Sequence, residues 1–155
     1  MPDLFWDPSD SAGLLAFREL VEEYQLELGV DLCFQGFQEE MAGLPGAYSP
    51  PLGAILLLKD GATWIGCGAI RPLSPGVCEI KRMYLRPAFR SQGFGTGLMQ
   101  ELLNRAKELG HHSVRLDTLR RLTPALALYT RFGFNEIEAY NYNPEDDIVY
   151  MERGL

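Results

Sequence analysis

The chain has 155 residues, of which 46% are hydrophobic, so it is long enough for one domain with a sizeable core and too short for a second. Its apolar runs, such as 54–58, are far shorter than a membrane span, and its acidic N-terminal stretch lacks the basic start of a secretory signal. With a net charge of −7, it is also a poor ligand for nucleic acid. We therefore expect a single domain over residues 1–155, located in the cytoplasm, with neither a membrane nor a nucleic-acid partner.

The spacing of apolar residues predicts mixed α/β elements in the first half of the chain. In chain order these are a strand at 1–6, a helix that begins near 9–11 and ends before Gly29, a helix at 34–42, and strands at 54–58 and 64–70. Between the last two strands lies Asp60-Gly61, a pair that suits a tight hairpin turn.

The second half continues with alternating strands and helices. The predicted order is a strand at 77–85, a helix at 98–109, a strand at 114–118, a helix at 123–132, and strands at 134–139 and 148–153. Thr123 and Pro124 are typical of an N-cap and a first helical position, and Gly110 and Gly133 of helix ends.

A glycine-rich segment lies between the strand at 77–85 and the helix at 98–109. Glycines allow a backbone to approach a ligand, and the unpaired N–H groups of the next helix favour an anion. The segment therefore predicts a phosphate-binding loop made of Arg90, Ser91, Gln92, Gly93, Phe94, Gly95, Thr96 and Gly97.

Three kinds of phosphate loop can be compared by spacing. A Walker A loop is excluded because Leu98 and Met99, not Lys and Ser or Thr, follow the last glycine. A dinucleotide fingerprint fits poorly because its sixth position is Leu98 and because its glycines begin eight residues after the strand, although Asp117 lies near the distance expected for its acidic residue. The third pattern, R-x-x-G-x-G after a strand, fits without adjustment.

Two segments together resemble the GNAT superfamily of acetyl-coenzyme A dependent N-acetyltransferases. They are Cys78-Glu79-Ile80-Lys81-Arg82-Met83-Tyr84-Leu85 with Arg90-x-x-Gly93-x-Gly95, and Leu128-Tyr129-Thr130-Arg131-Phe132-Gly133-Phe134. The resemblance implies an α/β (α+β) fold in which about four helices flank a mostly antiparallel mixed sheet of six or seven strands. It also implies that the loop binds the pyrophosphate of acetyl-CoA, that Met83, Tyr84 and Leu85 bind the pantetheine arm, and that no metal takes part.

The implied reaction is attack of an amine on a thioester. An alkyl ammonium with a pKa near 10.4 is neutral in only about one molecule in 2,500 at pH 7, so a base is useful. Glu79 matches the carboxylate that acts as the base in several members of the superfamily. One alternative is that a chain of water molecules removes the proton, as in many relatives. The other is that Glu79 only pairs with Lys81 or Arg82.

Tyr129 matches the phenol that relatives place near the coenzyme sulfur, where it can protonate the leaving thiolate. The alternative is that Tyr129 is a core aromatic residue that packs with the rest of its helix. The oxyanion would be held by a strand N–H within 83–85, where relatives have a bulge. Because alternate side chains of a strand point to the same side, Glu79, Lys81, Met83 and Leu85 are expected on one face. Relatives often carry an Asn after the fifth strand that contacts pantetheine, whereas this chain has Thr-Leu-Arg-Arg at 118–121. Which group takes the place of that Asn is open.

Other chemistries find little support. His111 and His112 are adjacent and follow a helix stop, which predicts a solvent-facing turn. The acidic run at 145–147 lacks the spacing of a calcium loop and predicts a solvated turn. Cys33, Cys67 and Cys78 form neither a zinc pattern nor an even set for disulfides.

Charge is segregated along the chain. Residues 71–131 hold 11 Lys and Arg against 4 Asp and Glu, whereas residues 1–60 hold 2 against 11. The basic segment suits an anionic coenzyme and the acidic one a small cationic amine, while Lys81, Arg82, Arg120 and Arg121 suit the carboxylate of an amino acid instead. An amine of a protein is a third acceptor class, and a homodimer stays open. The competing function is a coenzyme A-binding regulatory or interaction module without turnover.

Overall fold

The computed structural model describes residues 3–5, 11–29 and 36–155. Within them the strands are β1 (Asp3–Phe5), β2 (Ala54–Asp60), β3 (Thr63–Ser74), β4 (Val77–Leu85), β5 (Ser113–Leu119), β6 (Asn135–Ile137) and β7 (Ile148–Gly154). The helices are α1 (Ser11–Leu28), α2 (Phe37–Ala42), α3 (Phe94–Glu108) and α4 (Thr123–Arg131), with short 3₁₀ turns at Gly46–Tyr48 and Pro87–Phe89. None of the helices in these ranges is long and apolar enough to cross a membrane.

The seven strands form one sheet in the order β1-β2-β3-β4-β5-β7-β6. Neighbouring strands are antiparallel except β4 and β5, which run parallel and are therefore joined by a crossover that contains α3. This confirms the predicted mixed, mostly antiparallel sheet with four helices. It also singles out the β4/β5 junction as the place where the pairing changes.

The two faces of the sheet carry separate apolar cores. One core joins α3 and α4 to the sheet and includes Met99 and Leu102 of α3, both fully buried. The other joins α1 and α2 to the opposite face through Phe17 and Leu20, also fully buried. Burial of each such side chain stabilises the fold by roughly 1.5–3 kcal/mol. The β4/β5 junction thus lies between two cores rather than at the rim of one.

Helix boundaries differ from the predicted ones at two places. Helix α3 begins at Phe94 rather than 98, so Gly95 and Gly97 lie in its first turn. The low helix propensity of glycine hides that turn from an apolar-spacing argument. Helix α4 has Leu122 at its N-cap and Thr123 as its first residue, whereas Thr123 was predicted at the N-cap. The predicted segments 1–2, 6, 9–10 and 34–35, and Cys33, lie outside the described residues.

The histidine pair is only half exposed to solvent. His112 is exposed, but His111 is buried, and its Nε2 lies 2.9 Å from the carbonyl oxygen of Leu52. The predicted solvent-facing turn is therefore wrong for His111. Its partner is 59 residues away along the chain, a distance at which local sequence gives no indication of contact.

Candidate active site

A β-bulge lies in the middle of β4. Tyr84 pairs with Cys67 of β3, but Lys81 pairs with Ala69, so β4 contains one residue more than β3 over this stretch. Arg82 takes up the extra residue with a φ of 59°. Because one inserted residue reverses the facing of the residues after it, Met83 packs with the α3 core and Tyr84 with the α1 core. The predicted common face of Glu79, Lys81, Met83 and Leu85 is therefore wrong for Met83 and Leu85.

Buried contacts hold Arg82 in this unfavourable conformation. A non-glycine residue at positive φ costs on the order of 1–3 kcal/mol. The guanidinium of Arg82 donates to both carboxylate oxygens of Glu40, at 3.0 and 2.9 Å, and the Cys67 Sγ lies 3.2 Å from the Arg82 carbonyl oxygen. The hydroxyl of Tyr48 donates to the same carboxylate at 2.9 Å. The bulge is thus fixed by contacts from α2 and β3.

A cleft opens where β4 and β5 diverge. The two strands pair only from Val77 with Ser113 to Glu79 with Arg115. Beyond that point residues 80–83 of β4 and 116–119 of β5 line a cleft that is closed by α1 on one side and by α4 on the other. The backbone groups of β4 that face the cleft have no ladder partner in β5, so a ligand can pair with them. Met83 lines this cleft, and Tyr84 is buried with its ring stacked on that of Tyr24. Leu85 is the last residue of β4.

Tyr129 reaches the cleft from α4. Its side chain is 8% exposed and its ring packs edge-on against Phe134, with centroids 5.9 Å apart. Among the described residues, no group forms a hydrogen bond with its hydroxyl. Burial raises the pKa of Tyr129 above its ordinary value, so the phenol keeps its proton at neutral pH. The arrangement presents a protonated hydroxyl to the cleft.

The glycine-rich loop leads into the N-terminus of α3. Gly93 has a φ of 86° and ends the loop, and the first intrahelical bond is donated by Gly97 N–H to Gly93 O at 3.1 Å. The N–H groups of Phe94, Gly95 and Thr96 therefore have no acceptor within the helix. A Cβ built on Gly93, Gly95 or Gly97 would meet no protein atom within 4 Å. The loop thus combines backbone donors that are unused within α3 with glycine positions that no protein atom crowds, which fits a phosphate group.

Arg90 is engaged beside the loop. Its Nη2 lies 2.6 Å from a carboxylate oxygen of Glu27 and its Nε donates to the Leu85 carbonyl oxygen at 2.9 Å. Exposed pairs of this kind contribute about 0–1 kcal/mol, so a phosphate could replace Glu27 at small cost. Gln92 donates to the Ala88 carbonyl oxygen at 3.2 Å, and Ser91 has a φ of 63°.

Glu79 is completely buried at the last position where β4 pairs with β5. One oxygen accepts from Arg71, with two nitrogens at 2.7 Å, and the other accepts from the Tyr140 hydroxyl at 2.6 Å. The predicted alternative named Lys81 or Arg82 as its partner, whereas the observed partners are Arg71 and Tyr140. Arg71 lies directly opposite Glu79 on β3, so the pairing follows from strand register, which the sequence alone does not specify.

The segment after β5 is tied down by ion pairs. Arg121 contacts Asp147 at 2.8 Å and Glu145 at 3.5 Å, and Arg120 contacts Glu136 at 2.7 Å. The predicted acidic turn is present and partly exposed, and its Glu145 and Asp147 side chains pair with Arg121. All three arginines considered for an acceptor carboxylate, Arg82, Arg120 and Arg121, already have carboxylate partners.

Sequence reasoning did not identify Asp117 as part of the site. Asp117 lines the cleft from β5, and one of its oxygens, Oδ2, is buried without a hydrogen-bond partner among the described residues. The signal in the sequence was an acidic residue between Leu116 and Leu119 of a predicted strand. In the described part of the chain, no three His, Cys, Asp or Glu side chains are placed to share a metal ion.

Comparison with known proteins agrees with this geometry. A model of the acetyltransferase (GNAT) family matches residues 15–134. An uncharacterized N-acetyltransferase of Schizosaccharomyces pombe is 43% identical over 137 residues, which is 87% of this chain and 84% of that protein.

Two solved structures share the fold. A Klebsiella pneumoniae protein provisionally classed as an acyl-CoA N-acyltransferase is 27% identical with a TM-score of 0.75, over 100% of this chain and 98% of that one. A Bacillus subtilis acetyltransferase in complex with CoA is 18% identical with a TM-score of 0.69, over 100% and 99%. Members of the family use acetyl-CoA. The chain belongs to the GNAT acetyltransferase family.

Proposed function

We propose that this protein transfers the acetyl group of acetyl-CoA to the primary amine of a small molecule, by direct attack while both substrates are bound. The observation that carries the proposal is the cleft between β4 and β5, which holds the Tyr129 hydroxyl. Cationic amines and amino acids are the favoured acceptors. The proposal extends the family assignment to this chain's own cosubstrate, acceptor class and residues.

The glycine-rich loop and the free edge of β4 suit the coenzyme. The N–H groups of Phe94, Gly95 and Thr96 would bind the pyrophosphate, helped by the dipole of α3. Backbone groups of Met83, Tyr84 and Leu85 lie on the stretch of β4 that β5 leaves unpaired, and would bind the pantetheine amides. Bound there, acetyl-CoA supplies an activated thioester. The donors at the bulge would stabilise an oxyanion.

Tyr129 is the proposed acid. A buried phenol that keeps its proton can form a hydrogen bond with the leaving sulfur and protonate it as negative charge develops there. Glu79, the base predicted from the sequence, can take the amine's proton only through a relay. Because both of its oxygens accept hydrogen bonds, a proton would reach it through the Tyr140 hydroxyl or water rather than by direct contact with the amine.

Much of the charge that is segregated along the chain is paired in the fold. Carboxylates of the acidic N-terminal helices pair with arginines of the basic segment: Glu40 with Arg82, Glu23 with Arg86, and Glu27 with Arg90. The segregated charge along the chain therefore holds α1 and α2 against β4. Fewer carboxylates are left to attract a cation than the sequence suggests, which keeps both a cationic amine and an amino acid in the proposal.

The competing function is a coenzyme A-binding module without turnover. It explains the loop and the free edge of β4 equally well. It offers no reason for a tyrosine hydroxyl to face the cleft without a partner among the described residues. Retention of that group favours the enzyme.

Substitution of Gly95 tests the coenzyme site. We expect Gly95→Val to abolish acetyl-CoA binding, because the new side chain would fill the space above the loop. It should still fold, since Gly95 has no positive φ and no protein atom lies within 4 Å of its Cβ. Calorimetry measures the affinity. Thermal unfolding gives a second readout: a ligand at 100 times its Kd stabilises the native state by about 2.7 kcal/mol.

The matched control is Glu101→Val, on an exposed position of the same helix. It should bind acetyl-CoA as the wild type does. Equal affinity of wild type and Gly95→Val would show that the loop does not hold the coenzyme.

A further inference from the structure

Asp117 is a carboxylate in the cleft with one oxygen left unused. Asn141 acts to lower the pKa of this carboxylate, and the Asn141 Oδ1 accepts from the Tyr150 hydroxyl at 2.8 Å. One oxygen of Asp117, Oδ2, is buried and has no partner among the described residues. A buried acceptor without a donor costs about 1–3 kcal/mol, so such a group calls for an explanation.

We propose that Asp117 Oδ2 binds the N–H of the acceptor amine and takes its proton during acetyl transfer. This inference rests on the proposed function and deepens it. The geometry favours Asp117 over Glu79, because Asp117 lines the same cleft as Tyr129, whereas Glu79 lies at the closed end with both oxygens engaged. An amine donor would complete the hydrogen bonding of Asp117, and nothing else in the described residues does.

The position along β5 places the two proposed groups on opposite sides of the sheet. Arg115 pairs with Glu79, and Asp117, two residues further, shares that face, which is the face of the α1 core. Tyr129 belongs to the core on the other face. A thioester lying in the split between β4 and β5 would therefore meet an acid from one side and a base from the other.

Charged and titratable groups surround Asp117 on each packed element. They are Glu79, Lys81 and Arg82 of β4, Tyr24 of α1, Tyr129 of α4, Tyr140 of the loop after β6, Tyr150 of β7, and Glu145, which Arg121 holds. Burial is the largest influence and raises the pKa of Asp117, and the charge of Glu79 acts in the same direction. Lys81, Asn141 and Arg82 oppose it. A raised pKa suits a base that works near neutral pH.

The proton balance of the step is complete without another reactant. A C–N bond forms as the C–S bond breaks, and the acceptor ammonium loses two protons in all. Asp117 takes one and releases it to solvent. The other replaces the proton that Tyr129 gives to the sulfur, so both residues return to their starting states.

The test combines a binding readout with kinetics. In the wild-type protein with coenzyme A present, the ¹³C resonance of the Asp117 carboxyl should titrate above the ordinary range of about 3.9 and shift when 1,4-diaminobutane or an α-amino acid of a primary-amine panel is added. Asp117→Asn should lower kcat/KM by at least about 100-fold for any panel amine that the wild type acetylates. Acetyl-CoA affinity should stay within about twofold.

Two further variants separate the explanations. Glu136→Gln removes an exposed carboxylate that pairs with Arg120 and should leave kcat/KM unchanged. Glu79→Gln should change the apparent pKa of the rise in kcat/KM with pH but keep the rise itself, whereas Asp117→Asn should remove it.

Several outcomes would overturn the inference while leaving acetyl transfer intact. One is a kcat/KM of Asp117→Asn within about threefold of the wild-type value. Another is a rise of kcat/KM with pH that disappears in Glu79→Gln and survives in Asp117→Asn. If the wild type acetylates no panel amine, the proposed function fails instead. The carboxyl resonance then decides the inference alone: a shift on amine addition supports it, and an unchanged resonance across the panel overturns it.

Discussion

Replacement of Tyr129 by phenylalanine should lower kcat by a factor of about ten or more. The change removes only the hydroxyl, which has no hydrogen-bond partner among the described residues, so the ring keeps its packing against Phe134. The leaving thiolate would then lack its proton donor, and a positioned acid typically contributes about 10²- to 10⁴-fold. Steady-state kinetics with acetyl-CoA and an active amine measures the effect. Coenzyme affinity and the unfolding midpoint should change little.

The matched control is Tyr142→Phe, because Tyr142 is 77% exposed. It should behave as wild type in every assay. An unchanged kcat in Tyr129→Phe would return Tyr129 to the role of a core aromatic and remove the strongest argument against a module without turnover.

Replacement of Glu40 by glutamine should destabilise the protein by about 3–5 kcal/mol, since removal of one partner leaves a buried charge uncompensated. The side chain of Arg82 is 5% exposed and its guanidinium donates twice to Glu40. That pair also supports the bulge, where Arg82 has a φ of 59°. Urea unfolding at pH 7 measures the loss.

The same pair gives a pH dependence with a definite sign. Burial alone would raise the pKa of Glu40, but the hydrogen bonds and charge of Arg82 and the Tyr48 hydroxyl outweigh it and hold the pKa below its ordinary value. A lowered folded-state pKa contributes stability above the unfolded value of about 4.3. That contribution should disappear as the pH falls through the folded-state pKa, and the Glu40→Gln variant should lack it.

Glu136→Gln serves as the control, because Glu136 pairs with Arg120 on the surface. The side chains of Arg120 and Glu136 are 59% and 57% exposed. Its cost should stay within about 1 kcal/mol. A cost of that small size for Glu40→Gln as well would mean that the bulge does not depend on the pair.

Local patterns in the sequence were sufficient for the order of elements and for the position of the glycine-rich segment before a helix. The R-x-x-G-x-G segment after a strand does lead into a helix, at glycine positions that no protein atom crowds, and Asp60-Gly61 lies at the hairpin where it was predicted. These features depend on neighbours within a few residues. Strand alternation, by contrast, failed at Met83, because a single inserted residue at Arg82 reverses the two faces.

The partners of polar side chains could be identified only in the folded chain. His111 bonds to Leu52, Glu79 to Arg71 and Tyr140, and Arg121 to Asp147. Each pair depends on strand register or on a loop returning from a distance, which residue type alone does not encode. Asp117 shows the same limit, since its unused oxygen is evident only once the cleft is formed.

The central claim is that acetyl-CoA bound at this loop and cleft donates its acetyl group to an amine. The most direct measurement follows one turnover of acetyl-CoA labelled in the acetyl carbonyl, with excess protein and a primary-amine panel, by mass spectrometry of the products. We predict one equivalent of labelled N-acetyl amine and one of free coenzyme A, with Gly95→Val inactive at the same coenzyme concentration. Intact acetyl-CoA, bound by the wild type and never transferred to any amine, would contradict the claim and favour a coenzyme-binding module.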